Sequence, residues 1–214
     1  MSHAKQLPHD RQRRASNSAL RSSRPPATSS NVDEVTIEGV DAFAAWSRGD
    51  AAAALTLREA APRGEAAKRQ LLQAVRDAFI TPLEPEDVFA LSSGIDWILD
   101  LSVDVISESE VMAAGPDSGI AEMAGWLADA MRRIDVAVEL LGSDRAKASG
   151  AADAAIAAER ELEQAYYRGM GALLEVTDVR ERISRRELYR RCGRIGEVVI
   201  NVAERIIYAV MKAS

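Results

Sequence analysis

Several kinds of residue are scarce in this 214-residue chain, and each shortage excludes a class of protein. A single cysteine, Cys192, rules out an intrachain disulfide framework and suits a reducing cytoplasm. Aromatic residues make up only 5% of the chain, which favours helices over a β-sandwich or barrel. No apolar run reaches the roughly 20 residues that a transmembrane helix requires. We therefore expect a cytoplasmic, helical protein.

The chain has only two histidines, His3 and His9, and both lie near the N-terminus. The body therefore has no histidine for a Ser/His/Asp or Cys/His nucleophile, and none for the Glu-x-x-His ligands of ferritin-like di-iron bundles. The sequence also has no P-loop and no dinucleotide-binding glycine fingerprint. From these shortages we predict that the protein is not an enzyme.

Charge is distributed unevenly along the chain. Residues 1–31 contain six basic residues against Asp10 alone, a charge of +5, and because the whole chain carries −6, residues 32–214 carry −11. The first segment is rich in Ser, Arg and Pro, so we predict a disordered basic tail over residues 1–31. An acidic body does not favour binding to a phosphate backbone, and we expect no nucleic-acid partner.

Apolar residues recur at helical spacing over the rest of the chain and predict six helices. Asp50, Asp117 and Asp144 stand at predicted helix starts, where a carboxylate can cap free N–H groups. Pro62 and Gly64 are expected to interrupt the second helix. The predicted spans are 32–46, 51–78, a stretch from about 86 to 115, 117–141, 145–175 and 184–212, with a charged connection over 176–183.

Acidic residues at i, i+4 spacing occur on several of these helices, and an approximate repeat relates them. The repeat predicts two three-helix halves, at about 32–115 and 116–214. One interpretation of the acids is a solvated polar edge, and the other is a set of hard oxygen ligands for a cation or a cationic partner. The candidate ligands are Glu65, Asp96 and Asp100 in the first half, and Glu159, Glu163 and Glu197 in the second.

Four arginines also share one helix face at i, i+4 spacing, and we call them the arginine strip: Arg182, Arg186, Arg190 and Arg194. Guanidinium groups suit phosphate and carboxylate, so the strip is a candidate anion- or partner-binding surface. The alternative is a solvated face whose charges pair with Glu181 and Glu187.

Three segments resemble the PhoU-like family of phosphate-transport accessory proteins, in the branch found beside low-affinity phosphate permeases. Phe79-Ile80-Thr81-Pro82 is followed by Glu86-Asp87-Val88-Phe89-Ala90-Leu91 and by Ile95-Asp96-Trp97-Ile98-Leu99-Asp100. The segments Glu159–Tyr166 and Glu197–Lys212 add to the similarity. The resemblance covers most of residues 50–212.

The resemblance implies an all-α bundle of six helices built as two three-helix repeats. It implies a non-catalytic regulator or adaptor of inorganic phosphate transport, with a phosphate permease or its regulatory machinery as partner. We also expect a homo-oligomer, with peripheral membrane association only through a partner.

Family members hold metal ions, iron or zinc among them, on paired Glu/Asp-x-x-x-Asp motifs. In this chain Ala61 and Asn201 replace acids of those motifs, so the clusters are half vacated. An oxygen-only set favours Mg, Ca, Mn or Fe over tetrahedral Zn. Two alternatives stay open: a metal-dependent hydrolase or oxidase that uses the same carboxylates, and a degenerate scaffold without metal.

Overall fold

The computed structural model describes residues 27–77 and 83–212, without the side chains of residues 27–31 and 33. Within these ranges the chain forms six α-helices, one short 3-10 helix and no β-strand, which confirms the predicted all-α bundle. The 3-10 helix, Leu173–Glu175, lies between the last two α-helices. The α-helices are α1 (Ala27–Ser47), α2 (Ala53–Asp77), α3 (Pro85–Met112), α4 (Ser118–Leu140), α5 (Arg145–Ala172) and α6 (Val179–Lys212).

The helices pack in two groups that share one core. Helices α1, α2 and α3 contact one another, as do α4, α5 and α6, and the groups meet where α1 packs on α4 and α3 packs on α6. A continuous apolar cluster runs through all six helices. Burial of these apolar faces supplies the main stabilisation of the fold. Residues at its centre include Phe43, Leu57, Ile98, Leu99, Ile120, Met123, Leu162 and Leu188.

Aspartates cap the starts of three helices. The Asp117 carboxylate accepts a hydrogen bond from the Ile120 amide at 3.0 Å, and the Asp144 carboxylate accepts one from the Lys147 amide at 3.1 Å. Both caps agree with the starts predicted from the sequence. At α6 the cap is Asp178, whose carboxylate accepts from the Arg180 amide at 2.8 Å. Each cap satisfies N–H groups that the first helical turn leaves unpaired.

The cap at Asp178 explains why the predicted charged connection over 176–183 is wrong. Helix α6 begins at Val179, five residues before the predicted start at Ser184. An ion pair between Arg185 and Glu181, 2.8 Å apart and one turn apart in sequence, supports this extra turn. Most of this run of charged residues therefore forms the exposed first turns of helix α6 rather than a connecting segment.

The predicted interruption of the second helix is also wrong. Helix α2 continues from Ala53 to Asp77 with Pro62 inside it. Proline removes one backbone hydrogen bond, but Ala60, Gly64 and Ala67 are buried against neighbouring helices on both sides of it. Tertiary packing therefore keeps the helix continuous across a residue that would break an isolated one.

Two predicted segments fall partly or wholly outside the described residues. Helix α1 begins at Ala27, five residues before the predicted start of the helical domain, so only residues 1–26 of the predicted tail are outside the description. The proline-containing helix stop at Phe79–Pro82 also lies outside it. No helix in the described ranges combines the length and the apolar character needed to cross a membrane.

Candidate functional site: two carboxylate sites

The first carboxylate site consists of Glu65 and Lys68 on α2 and of Asp96, Asp100 and Asp104 on α3. Asp96 is buried, with 7% of its surface exposed, and its carboxylate forms an ion pair with the Lys68 ammonium. Gly64 lies opposite, and a Cβ built there would be 3.7 Å from Asp96 Oδ1. A lysine of the neighbouring helix thus neutralises the buried acid of this site.

The other acids of the first carboxylate site are exposed. Glu65 pairs with Arg69 on its own helix, and Asp100 and Asp104 line a shallow depression beside Pro62. Partial desolvation by the surrounding protein, and then the neighbouring Asp96, raise the pKa of Asp100 above its ordinary value. The predicted residues Glu65, Asp96 and Asp100 are thus brought together, with a lysine among them that the acidic pattern did not reveal.

The second carboxylate site consists of Glu159 and Glu163 on α5 and of Glu197 and Asn201 on α6. These residues line a groove of about 610 Å³. Glu159 is the buried member, with 6% exposed, whereas Glu163 and Glu197 are exposed. A Cβ at Gly196 would lie only 2.8 Å from Glu159 Oε1, so the glycine leaves the space that the buried carboxylate occupies.

The buried acid of the second carboxylate site has no cationic partner among the described residues. No hydrogen bond or ion pair links Glu159 to another described side chain, and Glu163 accepts only the Tyr167 hydroxyl, at 3.2 Å. Burial, and then the like charges of Glu163 and Glu197, raise the pKa of Glu159 above its ordinary value. The site therefore favours any species that brings positive charge to Glu159.

Three arginines of α6 also line this groove, and other groups contact them. Arg191 pairs with Glu108 at 2.5 Å, and Arg190 lies 3.7 Å from Glu187. The Arg194 guanidinium lies 5.9 Å from the ring centroid of Trp97, which also lines the groove. The groove thus contains both acids and arginines; Arg190 and Arg191 pair with acids, whereas Arg194 contacts an aromatic ring.

The arginine strip is exposed along its whole length, but only part of it reaches the groove. Arg190 and Arg194 line the groove, whereas Arg182 and Arg186 form no ion pair with any described residue. The strip therefore adds free positive charge mainly at its N-terminal end. This placement leaves the predicted anion- or partner-binding role of the strip as a prediction.

Sequence reasoning missed three polar contacts that hold helices together. Arg185, next to the strip, pairs with Asp117, and the Tyr189 hydroxyl donates to the same carboxylate at 2.7 Å. Asp87 is almost fully buried and lies 2.7 Å from Arg205. Their sequence separations of 68 to 118 residues give no local signal, so only the tertiary fold reveals them.

Cys192 lies among arginines in the sequence, but its thiol is fully buried in the core. Burial raises its pKa to about 12, so the thiolate is not populated at neutral pH. Cys192 is therefore a packing residue of the core rather than a reactive thiol.

The geometry of the acids also bears on metal binding. Among the described residues, no three Asp, Glu, His or Cys side chains lie close enough together to hold one metal ion. The two carboxylate sites are separate, since they line different depressions on the surface. A metal ion at either site would therefore be held by fewer than three of these described side chains.

Comparison with known proteins finds a distant relationship. No protein-family profile matches the chain. Among curated proteins, the UPF0111 protein YkaA of Bacillus subtilis (strain 168) is 28% identical to it over 93 residues. The match covers 43% of this chain and 45% of YkaA, so it extends over less than half of the relative's length. The match thus shows a distant similarity to part of that protein.

Proposed function

We propose that the protein is a non-catalytic regulator or adaptor of inorganic phosphate transport that acts through protein contacts. The observation that carries the proposal is the agreement of two lines of evidence. The motifs around Glu86–Asp100 resemble the PhoU-like family, and an all-helical fold, which that resemblance implies, accompanies a distant match to part of YkaA. We further propose that α1–α3 and α4–α6 are two copies of one three-helix repeat.

The arrangement of the carboxylates supports a binding role over a hydrolase or oxidase. Such an enzyme would use the buried acids to activate water or hold a reactive metal. At the first carboxylate site, Lys68 already neutralises Asp96. At the second, the acids face a groove rimmed by exposed Tyr167 and Trp97, a composition suited to contact with another polypeptide.

Metal binding stays a prediction from the sequence. Glu159, Glu163 and Glu197 are the candidate ligands for an Fe, Mn, Mg or Zn ion at the second carboxylate site. Glu65, Asp96 and Asp100 are the candidate ligands at the first. Elemental analysis of the purified protein beside Glu159→Ala/Glu163→Ala and Asp96→Ala/Asp100→Ala variants tests it. The regulatory proposal does not depend on the result.

The partner proposed is a phosphate permease or its regulatory machinery, reached from the cytoplasm. Association with the membrane would then occur through that partner, and we propose a homo-oligomer as the working state. The arginine strip is the candidate docking surface, because Arg182 and Arg186 carry free charge on an otherwise acidic body.

A gene deletion tests the proposal. We expect the deletion strain to show altered uptake of radiolabelled phosphate and altered phosphate-responsive expression, restored by the wild-type gene. An Arg182→Gln/Arg186→Gln gene should restore these poorly, while Arg48→Gln, which changes an exposed arginine outside the strip, should restore them fully. Unchanged uptake and expression in the deletion strain would contradict the proposed function.

A further inference from the structure

The second carboxylate site contains a largely buried glutamate, Glu159, that forms no ion pair with any described side chain. Glu159 is more than nine-tenths buried and lines the groove, yet its carboxylate has no hydrogen-bonded or ionic partner there. The described polar side-chain atoms that are shut off from solvent without a hydrogen bond belong to Asp87 and Arg205, so the unpaired Glu159 carboxylate reaches the groove and can meet a ligand there. The groove therefore has the properties of a site whose cation comes from another molecule.

The first carboxylate site shows which kind of cation pairs with a buried acid in this fold. There the ammonium of Lys68, a side chain on the neighbouring helix, binds Asp96. Lys68 stands three residues after Glu65, and Tyr166 stands three residues after Glu163 at the second site. Tyr166 lines the groove but carries no charge, so the position that supplies the cation in one site supplies an aromatic ring in the other.

The walls of the groove suit an alkylammonium group. Tyr166 and Tyr167 line it beside Trp97, whose ring already meets the Arg194 guanidinium, and aromatic faces attract organic cations and pack against the methylene groups of a lysine. Glu163 and Glu197 stand beside Glu159 and add negative charge at the mouth. An ammonium can use these acids one or two at a time, whereas a metal ion needs several converging ligands.

We propose that the second carboxylate site receives a lysine side chain of a partner protein, whose ammonium group binds Glu159. In the free protein the groove is open, and in the complex the partner's ammonium pairs with Glu159 as the Lys68 ammonium pairs with Asp96 at the first site. The proposal rests on the proposed function only for the premise that this groove meets another protein.

Nuclear magnetic resonance with a defined probe tests the proposal. The probe is the peptide acetyl-Gly-Lys-Gly-amide, and its matched control is the same peptide with an acetylated lysine amine, which lacks the charge. We expect the charged peptide to shift the Trp97 indole N–H and the amides around Glu159 in a saturable way. The acetylated peptide should leave these signals unchanged.

Two variants make the result specific. Glu159→Gln should weaken binding of the charged peptide by at least about tenfold, whereas Glu65→Gln, at an exposed acid of the first site, should leave it unchanged. Tyr166→Lys should supply an internal ammonium and abolish peptide binding while the spectrum of the folded core is retained.

Three outcomes would overturn the proposal: no shift at the groove, equal binding of the two peptides, or binding that survives Glu159→Gln. Stoichiometric metal in the purified protein that Glu159→Gln removes would also overturn it, because the site would then belong to the metal. None of these outcomes involves phosphate uptake, so failure of this proposal and failure of the proposed function are separate results.

Discussion

The two carboxylate sites share one arrangement but differ in whether a cation pairs with the buried acid. Each places a buried acid on one helix opposite a glycine on the next: Asp96 on α3 faces Gly64 on α2, and Glu159 on α5 faces Gly196 on α6. At the first site Lys68 pairs with the buried acid, whereas at the second site none of the described cations forms an ion pair with Glu159.

This difference teaches that an acidic motif does not by itself specify a site's role. A buried acid that is paired within the fold contributes to structure, since it satisfies its own charge and fixes the contact between two helices. A buried acid without a partner keeps an unpaired negative charge, which a cationic ligand can neutralise. On this account Asp96 is structural, and Glu159 is the residue available for binding.

Removal of Lys68 should have the largest effect on stability. Lys68→Met leaves the Asp96 carboxylate buried without its cation, and we expect the free energy of unfolding to fall by about 1.5–3 kcal/mol. Urea denaturation of the variant and the wild type measures the change. Arg69→Met is the control, because Arg69 pairs with the exposed Glu65, and it should cost less than about 1 kcal/mol. Equal effects of the two variants would contradict the structural role of Lys68.

The contribution of Glu159 to the pH dependence of stability should be an effect of intermediate size. Because burial raises the pKa of Glu159, the folded protein binds that proton more tightly than the unfolded chain does. The free energy of unfolding should therefore decrease as pH rises from the ordinary glutamate pKa through the raised folded pKa. Glu159→Gln should show less of this decrease and should gain up to about 1 kcal/mol at neutral pH.

The contribution of Asp100 to the pH dependence must be separated from that of Glu159, because partial desolvation and Asp96 also raise the pKa of Asp100. An Asp100→Asn variant, titrated in parallel by chemical denaturation at a series of pH values, isolates its share. A Glu159→Gln variant with the same pH profile as the wild type would show that Glu159 is not an unpaired buried acid.

The arginine strip should have the smallest effect on stability. Arg182 and Arg186 form no ion pair with the described residues, so Arg182→Gln/Arg186→Gln should change the free energy of unfolding by less than about 0.5 kcal/mol. Arg185→Gln, one residue away, loses the contact with Asp117 and should cost about 1 kcal/mol or more. Thermal unfolding compares them, and a large loss in the double variant would assign the strip a structural role.

The sequence was sufficient to predict most of the helices, because apolar periodicity and capping aspartates such as Asp117 and Asp144 are local signals. It failed where tertiary packing overrides local preference, as at Pro62 inside α2. It also failed where charge conceals a helix, as in the first turns of α6. In both cases the deciding interactions lie outside the window that a periodic pattern samples.

The sequence could predict which residues belong to the candidate sites, but not how buried each residue is or which residue it contacts. Spacing at i, i+4 placed Glu159 beside Glu163, yet one is buried and the other is exposed, and periodicity alone does not distinguish them. The pairing of Lys68 with Asp96 joins residues 28 apart on two helices. A search for acids alone missed it, although a lysine one turn after Glu65 was visible in the sequence.

The most direct test of the difference between the two sites is the free energy of unfolding of Asp96→Asn and Glu159→Gln, measured under identical conditions at neutral pH. Each substitution removes one buried negative charge with little change in shape. The account predicts opposite signs: Asp96→Asn should destabilise the protein, because Lys68 loses its partner, and Glu159→Gln should stabilise it. If Glu159→Gln destabilised the protein as Asp96→Asn does, Glu159 would already be paired within the fold, and the contrast between the two sites would be wrong.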